Sequence, residues 1–301
     1  MDKIQEDPEA SSDNIPEPKL ISEEEIQEIL ARQDGRKVTP FEATKLEKEA
    51  KKNWDLFYKR NETRFFKDRH WTLQEFEEVS NTTNPVLLEV GCGCGNFMFP
   101  MLEEVPGLKV LACDFSPRAV EFVKSHENYD ETRIRAFVCD ITAKDCFSPL
   151  QELSFCKEIV NNELEDKEVS GNYNAADFLS MIFVLSSISP GQKQRDAIEN
   201  ISKAVKPGGS VFFRDYGRHD MAQLRFKGGK KIDDNFYARR DGTRAYYFTP
   251  EEIVTMFENV GFSALSCGFV HRRTVNVKEG INVERTFVQG KFFKKSVSLL
   301  N

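Results

Sequence analysis

Residues 86–96 read Val-Leu-Leu-Glu-Val-Gly-Cys-Gly-Cys-Gly-Asn, an apolar run that leads directly into a glycine-rich loop. The run is typical of a buried parallel strand, and a helical pattern begins at Asn96. Glycine lets a backbone turn sharply and approach a ligand closely, because it has no Cβ atom. The stretch therefore predicts a small-molecule site at the end of the first strand of an α/β fold.

The alternation of strand and helix continues after the loop. Strands are predicted over residues 108–113, 134–139, 176–185 and 210–214, with two closing strands over 264–271 and 285–293. Repeated βα units imply a mostly parallel central sheet with helices on both faces. We expect an N-terminal helical cap before this sheet and a basic β-hairpin insertion within it, with the hairpin turn at Asp241-Gly242.

Acidic residues follow the second and third predicted strands. Asp114 comes about twenty residues after the loop, where a carboxylate can accept hydrogen bonds from both hydroxyls of a ribose. Asp140 follows the third strand, where a carboxylate can accept from an adenine amino group. Either acid alone could be a solvated loop residue or a helix cap. The loop alone also resembles a dinucleotide site, but that site uses the spacing Gly-x-Gly-x-x-Gly, and here the third glycine comes one residue early.

Taken together, these features favour S-adenosylmethionine as the cofactor and a Rossmann-like class I methyltransferase as the fold. This cofactor has no pyrophosphate, and Glu89 at the end of the first strand would suit its amino group. Ile141 and Ile182 are the predicted apolar walls for the adenine ring. Lys206-Pro207-Gly208-Gly209, before the fifth strand, is a further feature that we associate with this class.

Cys92 and Cys94 lie inside the loop, yet no histidine is near enough in sequence to complete a zinc site, so we expect no metal. Seven cysteines without a paired framework favour a reducing compartment, and we expect the cytoplasm, with the nucleus left open. No apolar run approaches the roughly 18–20 residues of a membrane helix, so we expect no membrane partner.

The net charge of −7 is unevenly distributed. Residues 1–28 hold ten acids and two lysines, a net charge of −8, so the remaining residues sum to +1. We expect three units. Residues 1–40 form a disordered acidic tail with a short helix near residues 22–26, and residues 41–80 form the helical cap. Residues 81–301 form the methyltransferase domain with its insertion at about 215–248.

Two stretches, 45–70 and 214–244, each carry nine basic residues against five acids and interleave them with aromatic residues. That combination suits phosphates and unstacked bases, the mode in which RNA loops are bound, although an ordinary charged surface would look similar. The residues that we predict to contact RNA are Lys59, Arg60, Lys67, Arg69, His70, Arg218, Arg225, Arg239, Arg240 and Arg244.

Longer motifs resemble a known family. They are Asn53–Asn61 (Asn-Trp-Asp-Leu-Phe-Tyr-Lys-Arg-Asn), Phe65–Trp71, Ile182–Ser186, Phe213–Gly217 and Asn235–Arg244. With these motifs the chain, from about Lys45 to Phe293, is similar to the tRNA N3-methylcytidine methyltransferases, which modify cytidine 32 of the anticodon loop. The chain lacks the large insertion that longer members carry before the first strand, and its compact N-terminus looks most like the subgroup that acts on serine tRNAs. The stretch from Tyr216 resembles the threonine and arginine subgroup as well.

The resemblance implies that Trp54 and Tyr58 close over the cofactor from the cap, above Gly91, Asp114, Asp140 and Ile182. It also implies seryl-tRNA synthetase as a partner beside the tRNA itself.

For the reaction, cytosine N3 carries its own lone pair and needs positioning rather than a general base. Because N3 lies on the Watson–Crick edge, the base must leave any pairing before it enters the site. We expect Asp215 to contact the base, flanked by Arg214 and Tyr216, unless it only forms a salt bridge with Arg214 or Arg218. Rival interpretations are a class I methyltransferase of a non-tRNA substrate and a binding protein without catalysis.

Overall fold

The computed structural model describes residues 21–63, 77–152, 173–276 and 281–296. Its helices are α1 (Glu23–Asp34), α2 (Pro40–Lys48), α3 (Ala50–Asn61), α4 (Glu77–Ser80), α5 (Met98–Glu104), α6 (Pro117–Lys124), α7 (Gln192–Ala204), α8 (Met221–Leu224) and α9 (Pro250–Glu258). Its strands are β1 (Val86–Val90), β2 (Lys109–Asp114), β3 (Ile134–Val138), β4 (Ala176–Ile182), β5 (Val205–Tyr216), β6 (Lys231–Asp233), β7 (Phe236–Ala238), β8 (Arg244–Tyr246), β9 (Phe262–Asn276) and β10 (Ile281–Lys294). Short 3₁₀ turns lie at Ser148–Gln151 and Leu185–Ser187.

Seven strands form one sheet in the order β3-β2-β1-β4-β5-β10-β9. The first five are parallel, and β10 runs antiparallel between β5 and β9. The chain reverses its direction of winding between β1 and β4, and in open α/β sheets ligands bind at the carboxyl ends of the strands at such a switch point. The predicted α/β fold with a mostly parallel sheet is confirmed.

Side chains alternate between the two faces of the sheet and fill two cores, because successive residues of a strand point in opposite directions. Leu88 packs with residues of α7 and α9 such as Ile198 and Phe257. Its neighbour Leu87 packs on the other face with residues of α5 and α6 such as Met101. Helices therefore cover both faces. Among the residues that the structure describes, no helix is long and apolar enough to cross a membrane.

The predicted insertion contains a second, three-stranded sheet in the order β6-β7-β8. In the β7–β8 hairpin Phe236 pairs with Tyr246, and Gly242 in the turn has a φ of +85°. A non-glycine residue is strained in that region, which explains why the Asp-Gly pair marks the turn. The hairpin predicted from this pair is confirmed.

The described part of the predicted tail forms α1, which is longer than the short helix expected near residues 22–26. Ser22 caps the helix and exchanges hydrogen bonds with Glu25, a capping box. At the other end, the buried Gln33 side chain donates to the backbone carbonyls of Gln223 and Phe226 at 3.0 Å. Composition favoured disorder because it could not show that the insertion supplies these partners.

Candidate active site

The glycine loop brings the backbone against the turn that follows β4. Gly91, Gly93 and Gly95 have φ values of +67°, +55° and +87°. A Cβ atom on Gly91 would lie 2.3 Å from Cγ2 of Val184, well inside van der Waals contact. Any side chain at this position would therefore fill the space between β1 and β4, the switch point of the sheet.

Asp114, at the end of β2, is only 7% exposed, and its carboxylate is held by backbone donors. Gly93 N donates to Oδ2 at 3.0 Å and Ser116 N donates to Oδ1 at 2.8 Å. Burial raises the pKa of Asp114 to about 6, although these hydrogen bonds oppose the shift. Each carboxylate oxygen has two lone pairs, so the group keeps capacity to accept from a ligand.

A cavity of about 300 Å³ lies over the carboxyl ends of β1, β2, β3 and β4. That volume is at the lower end of the range for small-molecule sites, roughly 300–1,000 Å³. Six of the predicted cofactor residues line it: Trp54, Tyr58, Gly91, Asp114, Asp140 and Ile141. Asp140 is exposed and accepts from Thr142 N and Oγ1, at 3.0 and 2.7 Å, which fixes its orientation at the rim.

Two predicted cofactor residues are not among the lining residues. Glu89 and Ile182 are buried, at 6% and 8% exposure, and Ile182 packs in the core on the α5–α6 side of the sheet. Their strand positions explain this, because the residues that follow them, Val90 and Phe183, point to the cavity instead.

The cysteines of the loop are buried free thiols. Burial raises the pKa of both Cys92 and Cys94. Within the described ranges, no group of three or more His, Cys, Asp or Glu side chains has the arrangement of a metal site. Two other cysteines, Cys113 and Cys139, line the cavity, which the sequence did not indicate.

The cap contributes an aromatic wall that α3 holds in position. The rings of Trp54 and Tyr58, one helical turn apart, have centroids 6.2 Å from each other. Between them in sequence, Asp55 accepts from Ser116 Oγ at 2.9 Å and from Arg118 N at 3.2 Å. Because Ser116 also binds Asp114 through its backbone N–H, the cap is anchored beside the predicted ribose site.

Asp215 lies beneath the turn after β4 rather than on the cavity wall. Its side chain is fully buried, and it accepts from Ser186 N and Tyr216 N, both at 2.9 Å. Burial raises the pKa of Asp215 to about 6. Arg218, one alternative partner for Asp215, pairs instead with Glu252 at 2.8 Å.

The residues that flank Asp215 also differ in setting. Arg214 is buried, at 5% exposure, and does not line the cavity. Tyr216 is half-buried, with Arg239 over its ring at 5.2 Å. The ring of Phe183 lies 5.0 Å from that of Tyr216.

The predicted RNA contacts fall into three groups. Lys67, Arg69 and His70 lie outside the described residues. Arg218, Arg239 and Arg244 make contacts within the protein, so they help to build the insertion itself. The four that are exposed to solvent are Lys59, Arg60, Arg225 and Arg240.

Further lining residues were not predicted as site residues, although one of them, Phe183, lies within the motif Ile182–Ser186. Glu47, Lys51, Lys193 and Phe183 come from α2, α3, α7 and the turn after β4. Phe183 has a φ of +60°, which is unusual for a bulky residue, and its N–H donates to Arg214 O at 2.8 Å. This turn explains why β4 ends at Ile182 and not at the predicted residue 185.

A model of the methyltransferase domain family matches residues 26–266. The tRNA N(3)-cytidine methyltransferase METTL6 of Mus musculus is 45% identical over 281 residues, which cover 92% of this chain and 91% of that protein. The tRNA N(3)-methylcytidine methyltransferase trm141 of Schizosaccharomyces pombe is 42% identical, covering 84% and 96%. The tRNA N(3)-methylcytidine methyltransferase Mettl2 of Drosophila melanogaster is 38% identical, covering 88% and 78%. Among solved structures, an S-adenosylmethionine-dependent methyltransferase from Anabaena variabilis superposes with a TM-score of 0.54 at 15% identity, covering 81% of this chain and 94% of that one.

The sheet order, the glycine loop and the cavity define a Rossmann-like methyltransferase that uses S-adenosylmethionine. The identities over most of its length show that the chain belongs to the tRNA N(3)-cytidine methyltransferase family. The residues present fit the cofactor. Gly91 and Val184 line the floor of the cavity, Asp114 offers carboxylate acceptors, and Trp54 and Tyr58 supply an aromatic wall.

Proposed function

We propose that this protein methylates N3 of cytidine 32 in the anticodon loop of serine tRNAs. The observation that carries the proposal is the identity of 45% to a tRNA N(3)-cytidine methyltransferase, which extends over 91% of that relative. The serine assignment rests on the resemblance of the segment before the first strand to the subgroup that acts on serine tRNAs, because the names of the relatives do not specify an isoacceptor.

S-adenosylmethionine, when bound, supplies an electrophilic methyl group on its sulfonium. The protein's task is to hold the cofactor and to orient cytosine N3, whose lone pair needs no base to release it. Asp114 and Asp140 are the acceptors for the ribose and adenine ends. Trp54 and Tyr58 exclude water from the cap side, and Gly91 with Val184 forms the floor.

Phe183 is the residue that we propose to stack against the unpaired cytosine. It lines the cavity at the carboxyl end of β4, next to the insertion. Its ring is supported by Tyr216 at 5.0 Å and by Phe287 at 5.3 Å. Aromatic side chains bind flipped or single-stranded bases in this way, because every base offers a flat face.

Asp215 is a positioning residue that holds the same turn through a hydrogen bond. Its Oδ2 accepts from Ser186 N three residues after Phe183, so the carboxylate fixes the turn that carries the aromatic ring. Asp215→Asn should lower kcat while leaving the affinity for S-adenosylmethionine within about threefold, because one acceptor oxygen and the buried packing remain. A wild-type kcat in this variant would contradict the role.

The exposed residues Lys59, Arg60, Arg225 and Arg240 are the proposed contacts to the tRNA backbone. Lys59 and Arg60 end the cap helix α3, whereas Arg240 lies in the β7–β8 turn. Phosphate contacts of this kind position the RNA without specifying its sequence.

The test is to incubate the protein with labelled S-adenosylmethionine and total tRNA, with and without seryl-tRNA synthetase, and to map the methylated nucleoside. We expect N3-methylcytidine at position 32 of serine tRNAs, formed faster with the synthetase. Asp114→Asn serves as the control with weakened cofactor binding. Methylation of threonine tRNAs would replace the serine assignment, and methylation of no tRNA under either condition would overturn the proposal.

A further inference from the structure

Glu47, near the end of α2, joins three separate parts of the protein at the mouth of the cavity. One carboxylate oxygen accepts from Lys193 Nζ on α7, and the other accepts from Ser189 Oγ and from Arg244 on β8. Its side chain is 30% exposed and that of Arg244 only 6%. Burial raises the pKa of Glu47, but the hydrogen bonds from Lys193, Ser189 and Arg244 outweigh it and lower the pKa to about 2. The carboxylate is therefore charged at any working pH.

Arg244 carries this contact into the insertion and into the turn after β4. Its Nη1 donates to Ser189 Oγ at 2.8 Å and its Nη2 donates to Ser187 O at 3.3 Å. The guanidinium lies 5.3 Å from the ring centre of Phe236 on β7. The position of the hairpin is thus tied to the same segment that lines the cavity.

The helix that carries Glu47 is continuous with the aromatic wall. Only Glu49 separates α2 from α3, the helix of Trp54 and Tyr58. A second bond between cap and hairpin runs from Asn53 Nδ2 to Gly242 O at 3.0 Å. A displacement of the hairpin would therefore move the cap, and with it the wall of the cofactor cavity.

We propose that Glu47 is a positioning residue that couples the β7–β8 hairpin to the aromatic wall, so that tRNA and cofactor strengthen each other's binding through this carboxylate. The inference rests on the proposed function, because it takes the hairpin as part of the tRNA-binding surface. Coupling between two sites is reciprocal: the factor by which tRNA changes cofactor affinity equals the factor by which the cofactor changes tRNA affinity.

The experiment measures the dissociation constant of S-adenosylhomocysteine by calorimetry, with and without saturating serine tRNA. This product analogue allows no turnover. The proteins compared are the wild type, Glu47→Gln, and Glu199→Gln as a matched control. Glu199 pairs with Lys203 at 2.9 Å on the surface of α7 and does not line the cavity.

We expect tRNA to tighten binding in the wild type and in Glu199→Gln by a factor in the usual range for coupled sites, about 5- to 150-fold. In Glu47→Gln the factor should fall to within about twofold of unity, because a neutral amide cannot bind both cations. A purely structural defect would lower the melting temperature and would weaken binding of S-adenosylhomocysteine both with and without tRNA. The ratio of these two dissociation constants would then stay unchanged. Lys193→Met removes one partner of Glu47 and leaves Arg244, so tRNA should tighten binding by an intermediate factor. This variant keeps the proposal testable if Glu47→Gln does not fold.

A wild-type ratio of one, or an undiminished ratio in Glu47→Gln, overturns the proposal. Failure of the proposed function is a different result: the wild type would then leave cytidine 32 of the tRNA unmethylated in the presence of S-adenosylmethionine, whatever the coupling measured with the analogue.

Discussion

The two sides of the cavity are held together by different kinds of contact. On the cofactor side, which consists of the glycine loop and the ends of β1, β2 and β3, a buried carboxylate is bound by backbone N–H groups. Gly93 and Asp114 are 21 residues apart. On the cap side, which consists of α2, α3, the β7–β8 hairpin and the turn after β4, the contacts are made by side chains. The partly exposed Glu47 meets the buried Arg244 across 197 residues.

This difference predicts different mechanical behaviour. The backbone donors Gly93 and Ser116 lie in the short loops that directly follow β1 and β2, so we expect the cofactor side to be rigid. Long charged side chains in contact with water form weaker pairs and respond to salt. A rigid side suits a cofactor that is the same in every turnover, and an adjustable side suits a large RNA that must enter and leave.

The largest effect that we expect concerns the base of the insertion, where the contact is buried. Asp220 is fully buried and accepts from Arg285 Nε and Nη2, both at 2.9 Å, and from Thr286 N. Asp220→Ala should lower the free energy of unfolding by about 3–5 kcal/mol, because it leaves a buried guanidinium without its charge partner. Urea denaturation measures this. Asp233→Ala, at an exposed position, should change stability by less than about 0.5 kcal/mol, and equal losses in the two variants would contradict the assignment.

The next largest effect tests the rigidity of the cofactor side. Gly91→Ala places a Cβ atom 2.3 Å from Val184 Cγ2 at a φ of +67°. Overpacking and backbone strain together should cost about 2–5 kcal/mol and abolish cofactor binding at micromolar concentrations. Gly191→Ala is the matched control, because Gly191 has a φ of +89° but no atom within 4 Å of its Cβ position. Gly191→Ala should be destabilised only by backbone strain, about 1–2 kcal/mol, and should still bind the cofactor. Binding that survives in Gly91→Ala would show that the turn after β4 adjusts.

Asp114→Asn should weaken S-adenosylmethionine binding by about 1.5–3 kcal/mol, which is the range for hydrogen bonds to a charged group. The backbone donors of Gly93 and Ser116 keep one acceptor oxygen, so the fold should remain. Asp140→Asn is the comparison at the exposed end of the cavity, and it should lose less cofactor-binding free energy than Asp114→Asn. Calorimetric titration of both variants gives the two values, and a larger loss at Asp140 would reverse our ranking of the two acids.

A smaller effect follows from the pKa of Asp114, which burial raises from 3.8 to about 6. In the free protein this carboxyl takes up a proton as the pH falls through 6, and binding to hydroxyl donors requires the ionised form. Cofactor affinity should therefore fall by up to about 1.4 kcal/mol, or tenfold, per pH unit below 6. Folding stability changes in the opposite direction. As the pH falls from 6 to 3.8, the native carboxyl binds its proton more tightly than the unfolded one, so the contribution of Asp114 to the free energy of unfolding rises. In Asp114→Asn the acid limb of the binding curve should disappear, and a curve that still falls below pH 6 would assign it to another group.

The contrast between the two sides also explains what the sequence could predict. The sheet, the glycine loop, Asp114 and Asp140 were all recognisable, because each acid follows its own strand and the strand ends converge in any fold of this class. Trp54 and Tyr58 came from a family resemblance and not from their spacing. Glu47 had no such signal, since its position depends on the tertiary contact with Arg244. Phe183 lies in a family motif, but the motif alone did not assign it a role.

The other limit on prediction from sequence was the orientation of buried side chains near strand ends. Glu89 and Ile182 are each one residue away from a position that lines the cavity, and a strand reverses its side chains at every residue. The boundary of a strand is known from sequence only to within a few residues, which is too coarse to assign a face. The full length of α1 was not predictable for a different reason, because Gln33 finds its partners almost 200 residues away, with a separation of 190 to Gln223.

The smallest effect concerns the exposed charges of the cap side. Arg240 in the hairpin turn and Lys59 at the end of α3 are solvent-exposed, so each would contact tRNA through a screened phosphate interaction. Arg240→Gln or Lys59→Gln should weaken tRNA binding by less than about 1 kcal/mol near physiological salt and reduce the dependence of log K on log salt by about one unit. Lys124→Gln, an exposed lysine outside both basic stretches, should leave this slope unchanged. If Arg240→Gln instead cost several kcal/mol independently of salt, the hairpin would bind a base edge directly, and the cap side would determine sequence specificity as well as position the RNA.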